Sequence, residues 1–273
     1  KFSQDPSKPL ASILNEGTIR ASDFAALIAP SVNNRGVVVA NLGTVGMVSG
    51  EATTIDFVGN DLIVFTIDKP VEGQVLDKDG NLISDRISNS GSIQADGGQV
   101  IMTAKNASSI IKNVINVEGM VGANTVTEKN GRIFLGGGDQ GNVRVTGTLS
   151  ASGEEPGLAG GEIIVEGASV TVDEGSIQAK GTDAKGGNIT ITGTDWVSAG
   201  STMDVSGKTG GNVNITITGT DWVSAGGTMD VSGETGGDVN ITTGGLSLAA
   251  PVLARGTTGE GGSININTLF KSW

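Results

Sequence analysis

The chain has 273 residues, 45 of them Gly, with 3% aromatic residues and no Tyr, His or Cys. Lack of Cys removes disulfide and thiolate chemistry, and lack of His leaves only Asp, Glu, Lys and Arg for acid–base work. A net charge of −12 disfavours nucleic acid and anionic membranes as partners, and no apolar run approaches the roughly 20 residues of a membrane helix.

Residues 1–11 read as an N-terminal arm, in which Pro6 and Pro9 either block strand pairing or let the arm reach a neighbour. The start, Lys1-Phe2-Ser3-Gln4-Asp5-Pro6, lacks the basic-then-apolar order of an export leader. Gly17-Thr18-Ile19-Arg20-Ala21 and Gly36-Val37-Val38-Val39-Ala40 share a Gly-x-apolar-x-small row. Between about 55 and 85 the pattern breaks. Ile55–Val58 and Leu62–Phe65 flank Gly59-Asn60-Asp61, and Val75-Leu76 and Leu82-Ile83 flank Asp77-Lys78-Asp79-Gly80-Asn81. Both read as hairpins, forming an excursion that either covers an edge of the body or displays itself to a partner.

The row resumes at Gly91–Ala95 and returns at Gly119, Gly147 and Gly175, 28 residues apart each time. A second row, Gly98–Met102, recurs at Gly161–Val165, Gly187–Ile191, Gly211–Ile215, Gly237–Ile241 and Gly262–Ile266. Asn106–Val114 is the one stretch with a hint of helical period. Residues 193–216 and 219–242 match at 21 of 24 positions with an offset of 26, as a duplicated coil would. Residues 270–273 form a short tail.

Apolar residues alternate within each row, which is the period of a strand. Ile19, Val38, Ile93, Val121, Leu149, Ile177, Met203, Met229 and Val252 would stack as one inward ladder, with Ala21, Ala40, Ala95, Ala123, Ala151, Ala179, Val205, Val231 and Ala254 in a smaller one beside it. The reading is an all-β, right-handed parallel β-helix (β-solenoid) over 12–269, with coils of about 25–28 residues and an extra-helical hairpin excursion. Nine rungs at about 4.8 Å give a rod roughly 40 Å long. Paired glycines at the turns are expected to serve corners that need positive φ. An antiparallel sandwich does not explain a constant coil length with inward positions in register.

The runs Asn15-Glu16-Gly17-Thr18-Ile19-Arg20-Ala21, Phe24 to Gly36 (FAALIAPSVNNRG) and Gly43-Thr44-Val45-Gly46-Met47-Val48-Ser49-Gly50 resemble those of filamentous haemagglutinin-type exoproteins, best over about residues 12–150. The resemblance implies a right-handed β-helix, an adhesin-like role, and two-partner secretion through an outer-membrane barrel to the outside or outer surface of a Gram-negative cell. The family's secretion cap carries Asn-Pro-Asn-Gly, and no Asn-Pro occurs here. The resemblance therefore implies rod from downstream of that cap.

Parallel β-helices also serve as polysaccharide lyases and hydrolases, so stacked carboxylates deserve weighing. Asp195 with Asp221, and Asp204 with Asp230, are equivalent positions in the duplicated coils. Duplication alone explains both pairs, and no Arg or Lys cluster accompanies them, so no catalytic residue is assigned. Gly136-Gly137-Gly138-Asp139-Gln140-Gly141-Asn142 lacks a repeated calcium nonapeptide and reads as a turn, so no metal or cofactor is assigned. Trp196 and Trp222, also equivalent, either shield a strand face or stack as exposed contacts for a glycan or protein partner. Asn188, Asn212 and Asp238, with Asn214, Asn240 and Asn265 nearby, would form polar ladders that add stability. The function expected is a non-catalytic structural or adhesive rod of a surface exoprotein. The alternatives are a filament subunit that associates head to tail, and a carbohydrate-active enzyme on the same fold.

Overall fold

The computed structural model describes residues 1–58, 62–106, 111, 113–127, 129–218 and 221–268. The unit is a coil of three short strands, first seen as Ser12–Asn15, Thr18–Arg20 and Phe24–Ala29. Each strand pairs in parallel with its equivalent one coil on, so the chain builds three faces of a β-helix-like stack. Among the described residues no helix is long and apolar enough to cross a membrane.

Alternation decides what the faces bury. On the second face Ile19 pairs with Val38, then Ile93, Val121, Leu149, Ile177, Met203, Met229 and Val252 in unbroken register. That is the inward ladder read from the sequence, and its members from Val38 to Met229 are fully buried. The third face contributes Val45, Val100, Ile133, Ile163, Ile189, Val213 and Val239 in the same manner. Each such side chain contributes about 1.5–3 kcal/mol by leaving water. Two strands, Glu162–Val172 and Asn188–Ala199, run through a corner and serve two faces, and a register shift follows Gly167.

The turn glycines have a different cause from the one expected. Those in the row Gly36, Gly91, Gly119, Gly147 and Gly175 do not adopt positive φ; among described glycines only Gly80, Gly97, Gly138 and Gly157 do. The row is glycine because successive turns lie against one another. A Cβ on Gly119 would sit 2.0 Å from the Gly91 carbonyl oxygen, and one on Gly147 1.9 Å from that of Gly119. Backbone cannot yield at that distance, so at these turns a side chain would not fit. Ser201 occupies the glycine position of its own turn, and its buried hydroxyl has no partner.

The break in the pattern is one insertion. Val32–Asn34 pairs with Ile87–Asn89, and Thr44–Ser49 pairs with Gln99–Ala104. Both are jumps of 55 residues between adjacent coils, so residues 50–84 lie outside the coil path. The insertion's first strand begins at Ala52, three residues before the expected start at Ile55. Ala52–Val58 and Leu62–Lys69 form an antiparallel pair. The turn Gly59-Asn60-Asp61 lies outside the described residues. Phe2–Ser3 joins as a third strand, so the N-terminal arm is held by this chain's own hairpin. The second expected hairpin is a single bridge, Leu76 to Leu82, around a turn in which Gly80 has φ +83°.

The hint of a helix at Asn106–Val114 is not realised over its described part, where Asn113–Val117 is a strand. Residues 107–110 and 112 of that stretch, and 269–273 at the far end, lie outside the described residues.

Candidate functional site

The stacked carboxylates are placed by turns. Asp204 pairs with Asp230 across adjacent coils. Asp204 Oδ1 accepts from the Ser206 N–H at 3.0 Å, and Asp230 Oδ1 from the Ser232 N–H at 2.9 Å. Such local bonds close the turn after each strand. Asp195 and Asp221 are exposed at a corner. Among the described residues no three Asp or Glu side chains gather as metal ligands would. In Gly136–Asn142, Gly138 has φ +68° and its carbonyl accepts from the Gly141 N–H at 3.4 Å, which is a tight turn.

Trp196 and Trp222 precede Val197 and Val223, which pair in register and point inward. Alternation therefore turns both indoles outward, 41% and 54% exposed. They form no ring–ring contact with each other among the described residues. In the same outward row Ser169 pairs with Trp196 on one side, and Gly245 pairs with Trp222 on the other. A Cβ on Gly245 would lie 2.7 Å from Trp222 Cε2 and 2.9 Å from Cδ2, so that indole lies across the glycine.

The N-terminal coils hold more specific chemistry. The hairpin packs on the outside of the third face, with Phe65 over Gly46, where a Cβ would meet Cζ at 2.3 Å. Phe24 stacks on Phe65 at 6.2 Å and meets Phe57 edge-on at 5.8 Å. Phe57 itself is 71% exposed.

Beneath the insertion Arg86 is 1% exposed, beside inward-pointing Ile87. Its Nε donates to Asn106 Oδ1 at 3.1 Å and its Nη2 to the Gly73 carbonyl at 2.9 Å, while Nη1 has no partner. Burial lowers the basicity of this guanidinium, and the charge of Glu51 opposes that. Burial also opposes ionisation of Glu51. Hydrogen bonds from Lys69 Nζ, at 2.5 Å, and the Glu72 N–H, at 2.9 Å, outweigh it and hold the carboxyl below its usual range. A cleft of about 980 Å³ opens between residues 9–16 and 74–85, with Leu10, Leu14, Leu76 and Leu82 on its walls and Asp77, Lys78 and Asp79 at its rim.

A buried amide ladder went unread in the sequence. Asn15 Nδ2 donates to Asn34 Oδ1 at 2.7 Å, and Asn34 Nδ2 to Asn89 Oδ1 at 2.7 Å. Asn89 Nδ2 ends the ladder on the Met120 carbonyl at 3.2 Å. The signal was present as Asn-x-Gly at 15–17, 34–36 and 89–91. The expected outer polar ladder forms in part: Asn214 donates to Asn188, Asn240 to Asn214 and Asn265 to Asn240, at 2.9–3.2 Å, while Asp238 accepts from the Ser263 N–H.

No protein-family model matches the chain, and no curated protein does. Among solved structures it is similar to the crystal structure of the HMW1 secretion domain from Haemophilus influenzae, with a TM-score of 0.71 and 24% sequence identity. The match covers 97% of this chain and 69% of that one. The likeness is one of fold.

Proposed function

We propose that the chain is a non-catalytic segment of an exported, adhesin-type exoprotein, folded as a right-handed parallel β-helix and presented outside a Gram-negative cell. The observation that carries this reading is a fold likeness to a secretion domain over nearly the whole chain, combined with a body built from repeated coils. Repetition supplies length and a regular surface, since each coil buries its apolar ladder only against its neighbours. A partner follows from the same reading: an outer-membrane barrel through which the chain passes before it folds.

Two assignments within such an exoprotein are distinguishable. The missing Asn-Pro-Asn-Gly favours rod from downstream of the secretion cap. The fold likeness favours the secretion segment itself, and it involves far more of the chain, so we take it first. The test is to place the chain behind a cleavable export leader in a Gram-negative host, with or without the outer-membrane barrel of its parent system. A secretion segment reaches the medium only when the barrel is present. Retention in the periplasm in both cases contradicts that assignment and leaves the downstream rod. The non-catalytic reading is checked separately, by incubating purified protein with polysaccharides and assaying for new reducing ends or unsaturated sugars, of which none are expected.

A further inference from the structure

The tryptophan ridge is an outer-surface feature whose cause the coil architecture does not supply. Outward positions in this solenoid are mostly polar or small, yet two large apolar rings stand on consecutive rungs at 41% and 54% exposure. Their row neighbours, Ser169 and Gly245, are too small to cover them. Trp222 lies across Gly245, which sets one face of the indole against the sheet and leaves the other for a ligand. Flat aromatic faces suit the apolar face of a pyranose ring, where C–H groups meet the ring's negative quadrupole.

Spacing and charge narrow the ligand. Consecutive rungs are about 4.8 Å apart, close to the rise of one sugar unit in an extended glycan. Exposed Asp195 and Asp221 directly precede the two tryptophans, and the chain carries a net charge of −12. Carboxylates there accept hydrogen bonds from sugar hydroxyls and repel uronates and other anionic sugars. We infer that the Trp196–Trp222 ridge binds a neutral polysaccharide lying along the stack axis, one pyranose ring on each indole. This deepens the adhesive reading. Because it is tested on purified protein, its failure leaves the export assignment untouched, and a failure of export leaves the ridge untouched.

The test is calorimetric titration of the whole chain with cellohexaose, mannohexaose and chitohexaose, and with polygalacturonate as the anionic counterpart. At least one neutral hexamer is expected to bind saturably, and polygalacturonate is not. Trp196→Ala and Trp222→Ala should each weaken that binding about tenfold, while Trp222→Phe retains most of it. Both tryptophans are exposed, and circular dichroism verifies that each variant is folded. The inference is overturned if no neutral hexamer binds the native chain more tightly than the doubly substituted W196A/W222A chain. It is also overturned if polygalacturonate binds as tightly as the best neutral hexamer. Lower thermal stability of Trp222→Ala with unchanged affinity would assign that indole to covering Gly245 and likewise overturn it.

Discussion

The first three coils and the duplicated coils obey one geometry and fill it differently. In the duplicated region the inward positions are apolar throughout: Val197 and Val223, Ala199 and Ala225, Met203 and Met229 occupy equivalent sites, all fully buried. In the first coils the site equivalent to Ala199 belongs to Asn15, Asn34 and Asn89, bonded amide to amide. Above them sits a 35-residue insertion, residues 50–84, pinned by a buried arginine. Repetition makes the body stable by many small equal contributions, whereas the N-terminal end depends on a few polar contacts with no redundancy. Single substitutions should therefore be felt unequally along the stack of coils.

The largest effect is expected in the repeating core. Ile177→Asp puts an unpaired carboxylate between Leu149 and Met203 and should cost more than about 4 kcal/mol in denaturant unfolding. The same change at half-buried Ile19, on the first rung, should cost clearly less, because water reaches it from one side. Equal costs would mean that the two regions are equally dry.

The next contrast sets the buried amide ladder against the exposed one. Asn34→Ala strands both the Asn15 donor and the Asn89 acceptor in a dry site and should cost about 3 kcal/mol. Asn214→Ala removes an equally continuous ladder from the outer surface, where water replaces it, and should cost under about 1 kcal/mol. Both are read from urea midpoints at constant m-value.

Glycine substitutions sharpen the account of the turns. Gly119→Ala meets the Gly91 carbonyl and should cost about 2–3 kcal/mol. Gly17→Ala, in the same row but on the first turn, meets nothing closer than Asn15 Oδ1 at 4.0 Å. It should be neutral within about 0.5 kcal/mol. A positive-φ requirement would penalise both alike, so the pair separates the two explanations.

The smallest effect is on pH. The Glu51 carboxyl, whose folded pKa is depressed, contributes stability present above its unfolded pKa and lost as pH falls through the lower folded value. Acid should therefore loosen the insertion. Faster amide exchange at Ile67 and Lys69 than at Ile189, on passing below the usual carboxylate range, checks it.

How much of this was legible follows from how local each cause is. The inward ladder was readable because alternation is written within five residues, and the duplication because it is written twice. The limits of the excursion were readable only as a loss of pattern, hence the three-residue difference in where its first strand begins. Burial of Arg86 was not readable, since it arises from Gly73 and the insertion folding over it, and an arginine in a strand ordinarily faces water. Asn34 was missed for a related reason: nothing local marks a polar residue as inward, and its amide is satisfied inside only by the coils above and below. At the tryptophans the sequence supplied position and left open whether the rings shield a strand face or stand exposed. The close lie of Trp222 on Gly245 needed the register between coils.

The claim on which these contrasts rest is that residues 50–84 stand outside the stack, so that strands 55 residues apart are neighbours. The chain has no cysteine, which permits a direct measurement. Asn33 and Ser88 pair across the insertion on adjacent coils, within the Cα separation of about 4.4–6.8 Å that a disulfide tolerates. In the Asn33→Cys/Ser88→Cys chain, mild oxidation followed by thiol titration of the monomer should find no free thiol and a loss of two hydrogens by mass. Two free thiols in the folded, oxidised monomer would contradict the register and place a further coil between those strands.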